Sequence, residues 1–487
     1  MQLILIVQIV LLFAGLGIVG VAVAMQSHAA VAGGHLFLFL AGVVHLWRIV
    51  ARRAQCWSLC DVQGASLLIS YFGGSAMTLT LSRSGIIGAL DLPQLAMMLN
   101  ASVYIVFFAV CLYLLGRIEA PFWRRLFRQD LGAGWPAWLP LAFLVLGGLA
   151  ASQLASGAIS LQGVAAVDET RVPVFTAFVV ALSWPVAGIC GWVLGSSLLR
   201  RRPLYLATAL ALIPVALVLN LAHGRRVILF QALIFLTCFA WSRGRGFSGR
   251  QLVTMGLVAL PVIYALWVVF LALRLEGYQN ASPVDRQRDI FARLNGAVEL
   301  MDKRWDRVAQ RQEAEVVDRV FVLGYLVDLM QNARLTNRFD GRVLATEAVT
   351  AVPRFILPRK DNILRSLNAD EAAIGQRYNI GTTDRPTSIV TVAFVDFRWL
   401  GPVLYSVLTL LIGVAAATMA GIVNLNFFSV YAICFVFLRA LGTESAFFTD
   451  KLEMLRTLAV LFVLLCLYRL CRRVFAEPYM VRRRVWR

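Results

Sequence analysis

LILIVQIVLLFAGLGIVGVAVAM, residues Leu3–Met25, runs without a single charged side chain. A helix of that length rises through about 34 Å, enough to cross a hydrocarbon core of about 30 Å. Working outward, comparable apolar stretches recur at Val31–Val50, Ala65–Leu81, Leu95–Gly116, Ala137–Ala155, Pro173–Leu198, Leu204–Ala222, Val227–Trp241, Leu252–Leu273, Gly401–Val423, Phe427–Gly442 and Leu455–Leu470. The twelve are interrupted once, between about Glu276 and Pro386, by a polar segment dense in charge. That segment is too long and too charged to be a simple connector. In lipid only helices and closed barrels satisfy their backbone polar groups, and these long continuous runs do not read as alternating barrel strands.

Composition agrees. Of 487 residues, 60% are hydrophobic, and the mean hydropathy is +0.74. A soluble core of this size does not need so much apolar surface. The expected fold is an all-α polytopic membrane protein of about twelve transmembrane helices. Spans one to nine fill residues 1–274, a large helical extracytoplasmic loop fills residues 275–400, and spans ten to twelve with a basic tail fill residues 401–487.

Charge sets the orientation. Alternate connections hold Arg52 and Arg53; Arg117, Arg124, Arg125 and Arg128; Arg200, Arg201 and Arg202; Arg243, Arg245 and Arg250; and a tail ending in Arg482, Arg483, Arg484 and Arg487. The opposite short connections hold little beyond Arg83, Arg171, Arg225, Arg226 and Lys451. The positive-inside rule then puts both termini in the cytoplasm and the polar segment outside. Within that segment acids and bases nearly balance, so the net charge of +19 sits at the inner face, against anionic headgroups. Nucleic acid is thereby not expected as a partner. The first span has no basic leader and no small-residue cleavage site, so it reads as a retained anchor. None of the eight cysteines falls in an outer connection, and all read as reduced thiols.

The polar segment carries helix signals. Ser282-Pro283 and Asp285 form a start signal, followed by an apolar stripe at Ile290, Leu294, Val298, Met301, Trp305 and Val308. A second stripe lies at Val316, Val320, Leu323, Val327 and Met330. A third helix is expected over Arg342–Ala351, stopping before Pro353 because residues preceding proline avoid helical angles. Then come Pro353-Arg354-Phe355-Ile356-Leu357-Pro358-Arg359-Lys360 and Gly381-Thr382-Thr383-Asp384-Arg385-Pro386-Thr387-Ser388. Two prolines bracketing basic residues make a stiff turn, and arginine forks suit a pyrophosphate. The same turn also serves as an ordinary headgroup anchor.

Two further features break the pattern. His223-Gly224-Arg225-Arg226 forms an outer hairpin with two arginines where few are expected, although paired arginines at a span end also snorkel. Arg439 lies inside an apolar run with Glu444 further on, which marks either a functional charge or a structural ion pair. The first outer loops lack an acidic metal-ligand pair, and no Walker, serine-elbow or His-Glu-x-x-His motif appears. Neither cofactor nor metal is expected.

On these residues the chain resembles the Wzy-type O-antigen and exopolysaccharide polymerases. The layout is similar, Gly224-Arg225-Arg226 looks like the family's Gly/Ser-Arg turn, and Pro353-Arg354 through Pro358 and Lys360 is similar to its Pro-Arg…Pro-x-Lys stretch. Phe394-Val395-Asp396-Phe397 with Gly401 looks like its lead into the next span, but Arg398 stands where the family often has glycine. The resemblance implies polymerisation of undecaprenyl-pyrophosphate-linked repeat units at the outer face of a bacterial inner membrane. It implies a flippase and a chain-length regulator of the same pathway as partners. Arg226 and Arg354 would clamp the pyrophosphate, with Arg225, Arg359, Lys360, Arg385 and Arg439 in support. His223 and Glu444 are the candidate bases. A multi-pass transporter or flippase, or a ligase moving finished glycan, remains an alternative reading of the same spans.

Overall fold

The computed structural model describes residues 2–51, 58–81, 92–127, 139–155, 186–200, 203–222, 322–352, 357–380 and 388–423, with isolated positions between 234 and 299 and at 466. All regular structure among the described residues is helical. The helices are α1 (Gln2–Ala24), α2 (His28–Ala51), α3 (Leu59–Leu81), α4 (Leu92–Phe127), α5 (Leu139–Ala155), α6 (Val186–Arg200) and α7 (Pro203–Ala222). After these come α8 (Val322–Gln331), α9 (Arg342–Ala351), α10 (Lys360–Leu367), α11 (Glu371–Tyr378), α12 (Ile389–Phe397) and α13 (Gly401–Val423). Most or all of expected spans eight, nine, eleven and twelve, and the stripe at Ile290–Val308, lie outside the described residues.

Among the described residues, four segments are long and apolar enough to cross a membrane: Leu3–Ala24, His28–Ile49, Leu95–Arg124 and Ile389–Met419. Their outward faces carry Leu3, Val10, Phe13, Trp47, Leu114 and Leu411, while Gln8, His35, His45 and Glu119 are buried between helices. Apolar outside and polar inside is the arrangement that lipid requires. The all-helical structure, with helices long and apolar enough to span, is compatible with a helical membrane protein.

Helices α1 and α2 meet through two glycines. A Cβ on Gly15 would stand 3.0 Å from the Gly34 carbonyl, and one on Gly34 would stand 3.0 Å from the Gly15 carbonyl. Lipid offers no hydrophobic drive between helices, so such close backbone approach is what earns van der Waals contact.

Helix α3 corrects one expectation. It begins at Leu59, well before Ala65, and so includes Asp61 and Gln63. Its polar first turn is possible because it is capped inside the bundle. The Ser58 hydroxyl accepts from the Asp61 N–H at 2.9 Å, and the Glu119 carboxylate accepts from the Leu59 and Cys60 N–H groups at 2.8 and 2.9 Å. Helix α3 is the inner helix, packed by α2, α4, α8 and α13. The imidazole of His35 lies between Ser75 of α3 and Ser102 of α4, at 2.8 and 3.0 Å, which sets the register of α2, α3 and α4. Helices α5, α6 and α7 pack on one another.

The Ile389–Met419 stretch is broken. Helix α12 ends at Phe397, a 3₁₀ turn covers Arg398–Leu400, and α13 then starts. Ser388, at one end of α12, bonds to Tyr71 of α3; the Arg398 carbonyl, at the other, accepts from Tyr104 of α4 at 3.2 Å. The His35 register puts Tyr71 and Tyr104 at nearly the same height, so α12 crosses the bundle instead of running along it. Both contacts lie far from the Glu119 end of α4, fifteen residues or about 22 Å from Tyr104. The buried Arg48, together with Arg117 and Arg124, gathers at the Glu119 end.

Gly34→Val should lower the melting temperature of the detergent-solubilised protein, since overpacking of this kind costs about 1–3 kcal/mol. Gly17→Ala, where a Cβ meets nothing within 4 Å, should leave it unchanged. Thermal unfolding followed by tryptophan fluorescence checks both.

Candidate functional site

The described part of the polar segment is held at both ends of one short helix. Helix α9 spans Arg342–Ala351, the range its sequence predicts, and stops at an extended Val352 ahead of Pro353. At its start, Asp396 of α12 accepts from the Val343 and Leu344 N–H groups at 3.1 and 2.9 Å, and the Tyr405 hydroxyl of α13 donates to the same carboxylate at 3.1 Å. A carboxylate there satisfies orphan donors and faces the positive end of the helix dipole. At its other end the Lys360 ammonium donates to the Thr350 and Val352 carbonyls at 2.5 and 3.2 Å. A backbone bond from Phe339 to Val395, 3.2 Å, adds a third tie to α12.

The sequence candidates fall in different places. Arg359 is exposed in the turn that opens α10, free to meet an anion. Lys360 is only 8% exposed and spends two of its three donors on the end of α9, so it acts here as a brace. Ser388, expected among hydroxyls outside the membrane, is buried as the N-cap of α12. It exchanges a reciprocal pair of bonds with Thr391, the Ser388 hydroxyl accepting at 3.1 Å and the Thr391 hydroxyl accepting at 2.8 Å. His223, Arg225, Arg226, Arg354, Arg385, Arg439 and Glu444 lie outside the described residues.

The described part of the second stripe, Leu323, Val327 and Met330, is buried in α8; Val316 and Val320 lie outside the described residues. Val322, Tyr325, Leu326 and Leu329 are buried too, because α8 packs on α3, α4 and α12 and leaves little surface for water. Burial pushes the Tyr378 phenol of α11 up to about 12, so it stays protonated throughout the physiological range.

Sequence reasoning missed a group of arginines that the fold brings together. Arg398 follows α12 with φ 53° and ψ −132°. This region favours glycine, and the resembled family often has glycine at this position. The guanidinium of Arg398 stands 4.8 Å from the Phe394 ring and 5.2 Å from the Tyr378 ring, and donates to the Arg334 carbonyl at 2.8 Å. Arg377 donates to the Arg338 carbonyl at 3.2 Å and covers the Phe339 ring at 4.1 Å. Spacing along the chain hides this group. Only the motif departure at Arg398 pointed toward it.

A second polar cluster is buried among α1–α4. Gln8 donates to Nδ1 of His45 at 2.9 Å, Arg48 donates to the same nitrogen at 3.2 Å, and Asp61 lies 3.6 Å from His45 Nε2. Arg48 also stands 4.6 Å from the Tyr113 ring. Gln8 Oε1, His45 Nε2, Arg48 Nε and Nη1 and Asp61 Oδ1 are buried without a hydrogen-bond partner. Among the described residues, no group of three or more His, Cys, Asp or Glu side chains is arranged to hold a metal ion.

No protein-family model matches the chain, and neither the curated proteins nor the solved structures give a match.

Asp396→Ala removes an acceptor from two helix-end donors and should cost at least about 1–2 kcal/mol. Asp396→Asn, which keeps one oxygen, should cost less. Limited proteolysis should cut the Arg338–Tyr378 region faster in the alanine variant, with the asparagine variant between it and the wild type.

Proposed function

We propose that this protein is a metal-independent glycosyltransferase that polymerises undecaprenyl-pyrophosphate-linked repeat units into O-antigen or exopolysaccharide at the outer face of a bacterial inner membrane. The observation that carries the reading is a helical polar segment braced onto an apolar bundle with the basic Pro358–Lys360 turn at its surface. Lys360 fixes that turn to α9 and leaves Arg359 exposed. The α12–α13 break meets the bundle away from its Arg48, Arg117 and Arg124 end, which together with the positive-inside rule supports an extracytoplasmic position for the segment. The resemblance in the Gly224-Arg225-Arg226 and Pro353–Lys360 stretches supports the same reaction.

In that reaction a hydroxyl of one lipid-linked glycan attacks the anomeric carbon of another. A carbon–oxygen bond forms there, the bond to the pyrophosphate oxygen breaks, and undecaprenyl pyrophosphate leaves with the electron pair. The hydroxyl proton passes to a base, for which His223 and Glu444 are the candidates. The physical demand is to stabilise charge on the departing pyrophosphate, which Arg226 and Arg354 meet as permanently charged forks, with Arg225, Arg359, Arg385 and Arg439 in support. Lys360 contributes by holding the turn that carries Arg359. A flippase supplies the lipid-linked units, and a chain-length regulator acts on the product.

A transporter is the second reading, and the buried cluster of His45, Arg48 and Asp61 favours it, because ionisable groups between membrane helices commonly mark coupling pathways. A deletion strain separates the readings. Loss of the polymerase leaves single repeat units on the carrier at the outer face, loss of a flippase traps them inside, and loss of a ligase leaves long polymer on the carrier.

Arg226→Ala and Arg354→Ala should each reduce polymer formation by about 10²–10³-fold, the usual cost of one oriented charge-stabilising donor. Unchanged polymer yield and length on a polysaccharide gel in both variants would overturn the clamp assignment.

A further inference from the structure

We propose that Arg377 and Arg398, anchored on the Arg338 and Arg334 carbonyls, form a phosphate-binding site where α11 meets the α12–α13 break, and that its ligand is the diphosphate head of a polyprenyl lipid. Three independent observations lead there.

The first is conformational. Arg398 occupies φ 53° and ψ −132°, where a side chain is disfavoured and glycine is not. Such an outlier persists only when its surroundings enforce it. Here the enforcing contacts all act on Arg398 itself: its carbonyl accepts from Tyr104, its Nη2 donates to the Arg334 carbonyl, and its guanidinium lies by Phe394 and Tyr378. A hinge alone is served better by glycine. An arginine there puts a cation at this point of the fold.

The second is an underused donor. Arg398 Nη1 is shut away from water without a well-formed hydrogen bond, and the hydroxyl of the neighbouring Tyr378, the nearest acceptor in the protein, is buried and unpaired as well. A guanidinium held between two aromatic rings has lost its rotamer freedom already, so a ligand oxygen drawn in beside it gains a charge-assisted bond with little further ordering.

The third is the setting. Arg377, in the last turn of α11 next to Tyr378 in the chain, is exposed and anchored by the Arg338 carbonyl and the Phe339 ring. Of the acids close by, Asp340 pairs with Arg338, and Asp396 is committed to Val343, Leu344 and Tyr405. The patch is therefore cationic. At the break itself Trp399 is 48% and Leu400 66% exposed, an apolar edge beside charged heads. That juxtaposition fits an amphiphile, with its phosphates on the guanidiniums and its chain along the apolar edge.

The inference rests on the proposed function only for the identity of the lipid. Binding needs no glycan transfer and can be measured without it. The test uses the full chain in phosphatidylcholine nanodiscs, titrated with undecaprenyl diphosphate and, separately, with inorganic pyrophosphate, and read by native mass spectrometry. Arg398→Gly and Arg377→Ala should each weaken lipid diphosphate binding by roughly tenfold or more, and Arg398→Lys should weaken it less. The melting temperature of Arg398→Gly should equal or exceed that of the wild type, because glycine accepts the backbone angles, so weakened binding cannot be blamed on unfolding. Inorganic pyrophosphate binding as tightly as the lipid would overturn the lipid as the source while leaving the diphosphate chemistry. Wild-type affinity in Arg398→Gly would overturn the site altogether. Arg226→Ala and Arg354→Ala in the same titration separate the two claims. Weakening in these alone sinks this site and leaves the proposed function standing; weakening in Arg398→Gly and Arg377→Ala alone does the reverse to the clamp.

Discussion

One carboxylate holds the bundle in register. Glu119 of α4 accepts from the first two N–H groups of α3 and, at 2.6 Å, from the indole of Trp123. Helix starts leave donors without partners, and inside a membrane no water can satisfy them. Leaving such a buried group unmet costs about 1–3 kcal/mol each. The negative charge also faces the positive end of the α3 dipole. Room for it comes from α13, where a Cβ on Gly413 would stand 2.2 Å from the carboxylate oxygen. Glu119, together with His35 between Ser75 and Ser102, thus fixes the depth of α3 against α4, and it sets the approach of α13 to both. The positions of Tyr71 and Tyr104, on which α12 rests, follow from that depth.

The same rule operates where the polar segment joins the bundle. Helix α9 is too short to be stable alone, since isolated helices of about ten residues are marginal in water. It is held because Asp396 and Lys360 satisfy opposite ends of it and match its dipole in sign. Asp396 also receives the Tyr405 hydroxyl, so α9, α12 and α13 share one acceptor. The surface that displays Arg359 is therefore built from the membrane outward, not appended to it.

How far this could be read from the chain depends on the kind of signal. Long apolar runs locate α1, α2, α4 and α13 because lipid imposes length and apolarity together. Proline chemistry locates the end of α9 before Pro353, and spacing picks out Leu323, Val327 and Met330 but not the burial of the rest of α8. The polar start of α3 was illegible, because Asp61 and Gln63 look like loop until Ser58 and Glu119 are seen to cap and bury that turn. Lys360 read as a ligand for phosphate because its helix-end carbonyls, Thr350 and Val352, come from a neighbour only the fold supplies. The arginines around Tyr378 share no motif at all. They are separated in sequence by as much as the distance from Arg334 to Arg398 and meet only through α11 and the α12–α13 break.

The break between α12 and α13 sets this stretch apart from an ordinary spanning helix. A continuous helix over Ile389–Met419 would span lipid and expose no polar backbone. Turning at Arg398–Leu400 instead lays α12 across the bundle, with Ser388 against Tyr71 and the Arg398 carbonyl against Tyr104. Irregular backbone at membrane depth is tolerated where it is covered by protein or lines a polar cavity. Here Tyr104 covers the carbonyl and Arg334 receives the guanidinium, so the interruption is solvated by the protein itself. The chain gives up a stretch of ordinary spanning helix and gains a fixed cationic corner beside exposed Trp399 and Leu400.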